Sequence, residues 1–183
     1  MKEVMIDIEY FGKGPNTVVF QIAAVTFDGG TGELLDFLSL NLYIDDQLRE
    51  GRTVEASTLA FWLDPKISQV AKTALEAEGK VSVTRAKETL HAFIKNYPVY
   101  HSRGLDDITI LKDLFNWDDD TTPWKYNQTR DLRGTMQECG LSPNYDIVQH
   151  NALSDCEGQI KDLMRCREII RVGCERALES FIG

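Results

Sequence analysis

The sequence predicts a single α/β domain over residues 1–183, with a central mixed β-sheet flanked by α-helices. The N-terminal part contains three β-strand patterns joined by turns, and the rest alternates between short strands and amphipathic helices. A chain of 183 residues can bury a substantial core, and no repeat, low-complexity segment or linker divides it.

The first three predicted strands form an antiparallel meander. Residues 3–10 are rich in apolar side chains and form the first strand. Thr17–Phe27 is β-branched and aromatic, as is typical of a long strand, and Leu34–Ile44 forms the third strand. Turns rich in Gly, Pro, Asn and Asp separate these segments, so consecutive strands are expected to pair with each other.

Each predicted helix begins near a residue whose side chain can cap the first turn. These residues are Ser57 or Thr58, Ser82 or Thr84, Asp106 or Asp107, Thr129 and Asn151. A further polar helix covers residues 66–79, whereas Asp45–Glu55 reads as a polar loop. Short strands are expected at Val99–His101 and Trp124–Asn127, and the last helix is long.

The composition is that of a soluble globular protein, with 43% hydrophobic and 27% charged residues. No apolar run is long enough to span a membrane, and the N-terminus lacks the pattern of a signal peptide, so we expect a cytoplasmic protein without membrane contact. The four cysteines form no CxxC pair, which predicts reduced side chains rather than disulfides or a zinc site.

The formal net charge of −9 argues against an extended surface that grips nucleic acid by its backbone, because such surfaces are usually basic. This charge does not exclude an enzyme that holds only the end of a strand. Part of it can also belong to a carboxylate cluster that a metal ion neutralises.

Two carboxylates share one face of the first predicted strand. Side chains alternate along a strand, so Asp7 and Glu9 point the same way, about 6.6 Å apart at a rise of about 3.3 Å per residue. Like charges side by side in an apolar strand are costly unless a cation such as Mg²⁺ neutralises them. The alternative is an edge strand with an acidic face in solvent.

Two later segments carry residues of the same chemistry. Asp107 lies where a strand leads into a helix, and Asp155 lies in the first turn of the last helix, five residues after His150. Each residue also has an ordinary structural explanation, since aspartate caps helices and suits the positive end of the helix dipole. The acidic run Asp118–Asp120 lies in a polar loop and is interpreted as solvated surface.

Four carboxylates that converge from separate segments can hold two metal ions about 4 Å apart for phosphoryl transfer. Histidine can take the proton from an attacking water near neutral pH. If these segments meet in the fold, they would form a site for hydrolysis of a phosphodiester.

The sequence resembles the DEDD exonucleases, in the DEDDh subgroup whose general base is histidine. The first motif of that family stands here as Asp7–Gly12, with Tyr10 in place of the usual Thr. The second motif stands as Asp107–Leu111, preceded by an aspartate where the family often has Phe, and spacing favours Asp107 over Asp106 as the ligand. The third motif, His followed after four residues by Asp, stands as His150–Asp155.

A closer likeness is to the compact branch that includes the bacteriophage DexA-type exonuclease and related bacterial 3′–5′ exoribonucleases. Val18–Phe27, Ser57–Trp62 and Arg130–Arg133 carry this likeness. The resemblance covers nearly the whole chain, and the three motifs occur in the family's order.

The resemblance implies a ribonuclease H-like fold and hydrolysis of single-stranded RNA or DNA from the 3′ end to 5′-mononucleotides. It implies two Mg²⁺ or Mn²⁺ ions per active site, with Asp7, Glu9 and Asp155 around one ion. Asp7 would bridge to the second ion, Asp107 would hold that ion, and His150 would be the general base.

The resemblance also suggests substrate contacts. The backbone of Ile8 to Tyr10 would line the terminal nucleotide, and Phe61 or Trp62 would stack on a base unless it belongs to the core. Arg103, Arg130 and Arg133 could contact phosphate. Arg133 could equally form an ion pair with Asp131 on the helix surface. Homodimerisation is compatible with this branch.

Two other functions stay open at this stage. One is a catalytically silent nucleic-acid-binding or interaction domain on the same fold. The other is a ribonuclease H-type endonuclease, which would cleave a closed circular strand.

Overall fold

The computed structural model describes residues 1–143 and 150–182, with side chains through residue 179. Its five-stranded sheet has the order β3–β2–β1–β4–β5. The first three strands are antiparallel, whereas β4 and β5 run parallel to β1. The strands are β1 Lys2–Tyr10, β2 Val19–Asp28, β3 Leu34–Asn41, β4 Tyr100–Ser102 and β5 Thr129–Asp131. The predicted mixed sheet with an antiparallel meander is confirmed.

Seven helices in the described residues flank this sheet. Three of them begin at a side-chain cap: Ser82 accepts from the Arg85 amide, Asp131 from the Arg133 amide and Asn151 from the Ser154 amide. The helices are α1 Ile44–Arg49, α2 Ala56–Trp62, α3 Ser68–Glu76, α4 Val83–Ile94, α5 Asp106–Leu114, α6 Leu132–Glu138 and α7 Ala152–Ile182.

The alternation along β1 divides the core between the two faces of the sheet. Val4, Ile6 and Ile8 pack with apolar residues of α4 and α5 on one face. Met5 lies on the other face, where it packs with apolar residues of β2, α6 and α7. The odd-numbered side chains of β1 therefore face α7, and this places Asp7 and Glu9 on the α7 side.

The structure corrects the predicted bounds of the last strand and of the helix that follows it. A turn of 3₁₀-helix at Tyr126–Gln128 occupies the second half of the predicted strand Trp124–Asn127. The strand lies at Thr129–Asp131, because this segment pairs in parallel with Tyr100–Ser102. Helix α6 consequently begins after Asp131 rather than at Thr129.

The predicted polar loop Asp45–Glu55 contains the short helix α1. Its Gln47 side chain is fully buried and hydrogen-bonds to both the amide and the carbonyl of Val19. Tertiary contact therefore stabilises a helix that its own polar sequence did not reveal.

All four cysteines are free, as expected, and Cys156 and Cys166 are buried in α7. No helix of the described residues combines the length and the hydropathy that a membrane span requires.

A buried ion network joins the N-terminal end of β1 to the middle of α7. The Glu3 carboxylate lies 2.6 Å from His101 Nε2 and accepts a 2.7 Å hydrogen bond from Arg167, which also donates to the Gly29 carbonyl. Burial opposes ionisation of Glu3, but the hydrogen bonds of His101 and Arg167 outweigh it and lower the Glu3 pKa. This network fixes α7 to the strand that carries Asp7 and Glu9.

Replacing Arg167 should therefore destabilise the fold through the charge that is left behind. We expect Arg167→Met to lower the free energy of unfolding by about 3 kcal/mol at pH 7, because the buried Glu3 carboxylate loses its cationic partner. The loss should be smaller at pH 4, because a carboxyl whose folded-state pKa is lowered gives up its stabilisation as the pH falls. Urea denaturation at both pH values measures these differences.

Arg176→Met, an exposed change on the same helix, is the matched control and should stay within about 0.5 kcal/mol of the wild type. The double variant Glu3→Gln/Arg167→Met should recover part of the loss. Equal destabilisation of the single and double variants would contradict a charge-based role.

Candidate active site

One cavity of about 590 Å³ lies at the end of the sheet where the parallel strands β1 and β4 finish. All of the residues predicted to act in catalysis line it: Asp7, Glu9, Asp107, His150 and Asp155. The ligand crevice of an open α/β sheet characteristically lies beyond the carboxyl ends of its parallel strands. The fold therefore brings the three sequence motifs to one place.

Strand β1 supplies Asp7 and Glu9 on its α7 face, as the alternation predicted. The pairing of β1 with β2 shifts register between Glu9 and Tyr10, so a bulge ends the regular ladder beside the second carboxylate. Bulges re-aim side chains and are common next to active sites. Asp107 enters from the first turn of α5, where it is 7% exposed.

Helix α7 supplies Asp155 from its first turn, and His150 precedes this helix with a φ of +62°. The positive φ is uncommon for a residue with a side chain. Ligand atoms of Glu9, His150 and Asp155 all lie within 4.8 Å of one another. Two carboxylates and an imidazole at this separation are a donor set that a divalent ion can take.

Burial raises the pKa values of all four carboxylates in the cavity, and repulsion between carboxylates adds to the shift in three of them. Burial, followed by the charge of Asp155, raises the pKa of Asp7 to about 8, although a hydrogen bond from Gln159 opposes the shift. Burial and then the charge of Asp7 raise the pKa values of Glu9 and Asp107 well above their ordinary values, and burial raises that of Asp155. Four carboxylates at this density need cations to remain ionised near neutral pH.

The structure distinguishes the two adjacent aspartates. The Asp107 side chain is buried and lines the cavity, whereas Asp106 is exposed on the first turn of the same helix. Consecutive helical residues point about 100° apart, so only one of the pair can face the site. This arrangement agrees with the spacing argument for Asp107.

Comparison with protein families assigns the chain on the basis of its sequence. Residues 2–166 match the model of the Rv2179c-like 3′–5′ exoribonuclease domain. The chain belongs to this family. No curated protein sequence matches it significantly.

Solved structures show that this Rv2179c-like chain has the exonuclease fold. Exonuclease I without ligand aligns with a TM-score of 0.61 at 14% identity, over 88% of this chain and 40% of that chain. E. coli Exonuclease I in complex with a dT13 oligonucleotide gives 0.61 at 13% identity, over 99% and 43%. Cell-death related nuclease 4, CRN-4, gives 0.55 at 12% identity, over 92% and 64%.

The Rv2179c-like chain spans about two fifths of the length of the Exonuclease I chains that it matches. At these identities the likeness establishes the fold, and the ribonuclease H-like architecture expected from the sequence is confirmed. The roles of individual site residues stay predictions.

The two adjacent aromatic residues occupy different positions. Trp62 is 4% exposed, packs in the core with Phe11 and Phe20, and donates its indole N–H to the Tyr10 carbonyl at 3.0 Å. Phe61 is 43% exposed at the cavity. The rings of Phe61 and Trp62 both meet the His150 ring edge to face, at centroid distances of 4.9 and 5.7 Å.

The remaining predicted substrate contacts also lie at the cavity. Ile8, Tyr10 and Arg103 line it, although the Ile8 side chain is buried in the opposite core and leaves only its backbone to face the site. Burial and then the charge of Asp107 raise the pKa of Tyr10. Arg133 also lines the cavity, whereas the Arg130 side chain donates to the carbonyls of its own turn.

Sequence reasoning assigned no role at the site to three polar residues that line the cavity: Lys13, Thr58 and Gln159. Lys13 lies in the turn after β1, where a cation has no sequence pattern that distinguishes it. Gln159 lies one helical turn after Asp155, and this i,i+4 spacing is the pattern that would have placed both on one face of α7. The Gln159 amide donates a 2.6 Å hydrogen bond to Asp7 Oδ1.

The repulsion in this cluster predicts how stability depends on pH without metal. The pKa of Asp7 is about 8 in the folded chain against an ordinary value of 3.8, so the folded state binds more protons between these values. The free energy of unfolding in EDTA should therefore fall as the pH rises from 5 to 8. Asp7→Asn should raise it at pH 8 by roughly 1 kcal/mol or more, about 2–4 °C in Tm for a chain of this size.

Thermal unfolding in EDTA and in Mn²⁺ checks this prediction. Asp120→Asn, an exposed change outside the cavity, should leave the pH dependence unaltered, and Mn²⁺ should stabilise the wild type more than Asp7→Asn. A wild-type Tm in EDTA that rises steadily to pH 8 would show that the carboxylates do not repel as described.

Proposed function

We propose that the chain hydrolyses single-stranded nucleic acid from its 3′ end and releases 5′-mononucleotides, with RNA as the substrate that the family's description favours. The observation that carries this proposal is the convergence of Asp7, Glu9, Asp107, Asp155 and His150 on one cavity. Membership of a 3′–5′ exoribonuclease domain family supports the polarity of the reaction.

The residues present fit a site for divalent metal. The donors are the carboxylate oxygens of the cavity, and burial together with neighbouring negative charge raises the pKa values of Asp7, Glu9 and Asp107. Asp7, Glu9 and Asp155 would hold one ion, while Asp7 and Asp107 would hold a second. When bound, two Mg²⁺ or Mn²⁺ ions supply charge stabilisation at the attacking and leaving oxygens.

His150 is the proposed general base. It lies beside Glu9 and Asp155, and the aromatic edges of Phe61 and Trp62 restrict the orientation of its ring. The imidazole removes a proton from water, and the water oxygen attacks the phosphorus of the terminal nucleotide. The bond from phosphorus to the neighbouring 3′-oxygen breaks, and that oxygen takes up a proton to leave a strand shortened by one nucleotide.

Side chains around the carboxylates are placed to hold the end of a strand. Phe61 presents an exposed ring on which the terminal base can stack, and stacking tolerates any base. Arg103, Arg133 and Lys13 line the cavity, and none of them is ion-paired within the described part of the chain, so they can bind phosphate. These three cations share the cavity with the carboxylates on a chain whose net charge is −9, which favours contact with phosphate at this one place, as a strand end requires.

The two adjacent aspartates provide a matched test of this site. Asp107→Asn should lower kcat/KM by more than about 100-fold, roughly 2.7 kcal/mol of transition-state stabilisation, while Asp106→Asn should stay within about threefold of the wild type. The assay follows 5′-labelled single-stranded RNA and DNA of equal sequence with Mg²⁺, Mn²⁺ or EDTA. A ladder that shortens from the 3′ end, depends on metal and disappears in Asp7→Ala is the expected result.

The substrate that is shortened faster, RNA or DNA, identifies the sugar that the enzyme prefers. Intact substrate in every lane, with folded protein that binds Mn²⁺, would contradict catalysis and support a binding domain instead. Cleavage of a closed circular strand would support an endonuclease, because an exonuclease needs an end.

A second test separates a general base from a metal ligand at His150. We expect His150→Ala to lower kcat by about 100-fold or more, because proton transfer to a positioned side chain contributes at least that much. Its Mn²⁺ affinity, measured by isothermal titration calorimetry, should remain within about threefold of the wild type, because a general base acts on the water and is not a ligand of the ion. A large loss of Mn²⁺ affinity would instead make His150 a ligand.

A further inference from the structure

Helix α7 presents a glutamine to the carboxylate cluster at a position that the reaction scheme above does not use. Gln159 is 4% exposed, and its Nε2 donates a 2.6 Å hydrogen bond to Asp7 Oδ1. Its Oε1 is also buried and accepts no hydrogen bond from the residues that the structure describes. A buried, unpaired amide oxygen costs free energy, so this side chain is not explained by stability.

The orientation of the amide follows from its neighbour. When a cation keeps Asp7 ionised, its carboxylate can only accept hydrogen bonds, so the amide directs its N–H to Asp7 and its oxygen elsewhere. Asp7 Oδ2 accepts no hydrogen bond among the described residues, so Gln159 holds one oxygen of Asp7 and leaves the other for a cation.

The position of Gln159 follows from the alignment of α7 with β1. Four helical residues rise about 6.0 Å, while two strand residues rise about 6.6 Å, so every fourth residue of α7 can face every second residue of β1. At one end of this alignment the side chains of Asp155 and Glu9 are hydrogen-bonded. At the other end Arg167 donates a 2.7 Å hydrogen bond to Glu3. Gln159 lies between these contacts, which set its amide against Asp7.

We propose that Gln159 is a positioning residue for Asp7. Its N–H orients the Asp7 carboxylate for metal binding, and its Oε1 accepts a hydrogen bond from a water in the active-site cavity. The inference rests on the proposed function, since it assigns a role within the same site.

Gln159→Leu tests this role, because leucine retains most of the side-chain volume and can neither donate nor accept a hydrogen bond. We expect Mn²⁺ affinity, measured by isothermal titration calorimetry, to fall about 10-fold or more, the usual effect of losing a residue that orients a metal ligand. We expect kcat to fall by a similar factor with little change in KM, because Gln159 positions a carboxylate and is not proposed to contact the nucleic acid. The Tm in EDTA should change little, because removal of the unpaired Oε1 offsets the loss of the hydrogen bond to Asp7.

Lys161→Leu introduces the same residue at an exposed position of the same helix and should leave Mn²⁺ affinity, kcat and Tm unaltered. Gln159→Met is a second variant with an unbranched stem, and it should reproduce the loss of Mn²⁺ affinity if Gln159→Leu does not fold. Mn²⁺ affinity and kcat within twofold of the wild type in a folded Gln159 variant would overturn the inference. So would a lower Tm in EDTA with unchanged Mn²⁺ affinity, which would show a structural role.

The metal titration does not depend on nuclease activity. A wild-type chain that binds Mn²⁺ but degrades no substrate would overturn the proposed function, while the titrations would still decide the role of Gln159. A wild-type chain that binds no Mn²⁺ would overturn both.

Discussion

Helix α7 runs antiparallel to β1, and the match between the helical and strand repeats aligns their facing side chains. Every fourth helix residue meets every second strand residue. The facing pairs are Asp155 with Glu9, Gln159 with Asp7 and Arg167 with Glu3. The active site depends on this alignment, because a shift of α7 by one residue would rotate Asp155 away from the cavity.

The two ends of this alignment have opposite electrostatic character. At Glu3 the charges are balanced, since Arg167 and His101 compensate the buried carboxylate and lower its pKa. At Asp7 the charges repel, and burial together with Asp155 raises the Asp7 pKa to about 8. The uncompensated carboxylates at Asp7 are held in place by two features. These are the apolar packing around Met5 and Cys156 and the ion pairs at Glu3. Repulsion between buried carboxylates is expected where a protein binds cations.

Charge is also divided between the cavity and the rest of the surface. The chain carries a net charge of −9, yet Lys13, Arg103 and Arg133 line the cavity that contains the carboxylates. A long strand of nucleic acid would be repelled over most of this surface. A strand end that reaches the cavity would meet cations, an exposed Phe61 ring and the carboxylate cluster together. This distribution is consistent with an enzyme that works from a terminus.

The sequence by itself determined the features that depend on local periodicity. Alternation along β1 placed Asp7 and Glu9 on one face, and the helical pattern that begins at Asn151 placed His150 just before a helix and Asp155 in its first turn. The resemblance carried by these motifs identified the fold and the family, and both are confirmed. These predictions succeeded because backbone repeats fix the direction of neighbouring side chains whatever surrounds them.

Only the tertiary structure decided which candidates share the cavity. It buried Asp107 and exposed Asp106, assigned Trp62 to the core and Phe61 to the cavity, and moved the last strand to Thr129–Asp131. It also revealed Gln159, whose partner Asp7 is 152 residues away in the chain. These outcomes depend on packing and pairing between distant segments, which local patterns do not encode.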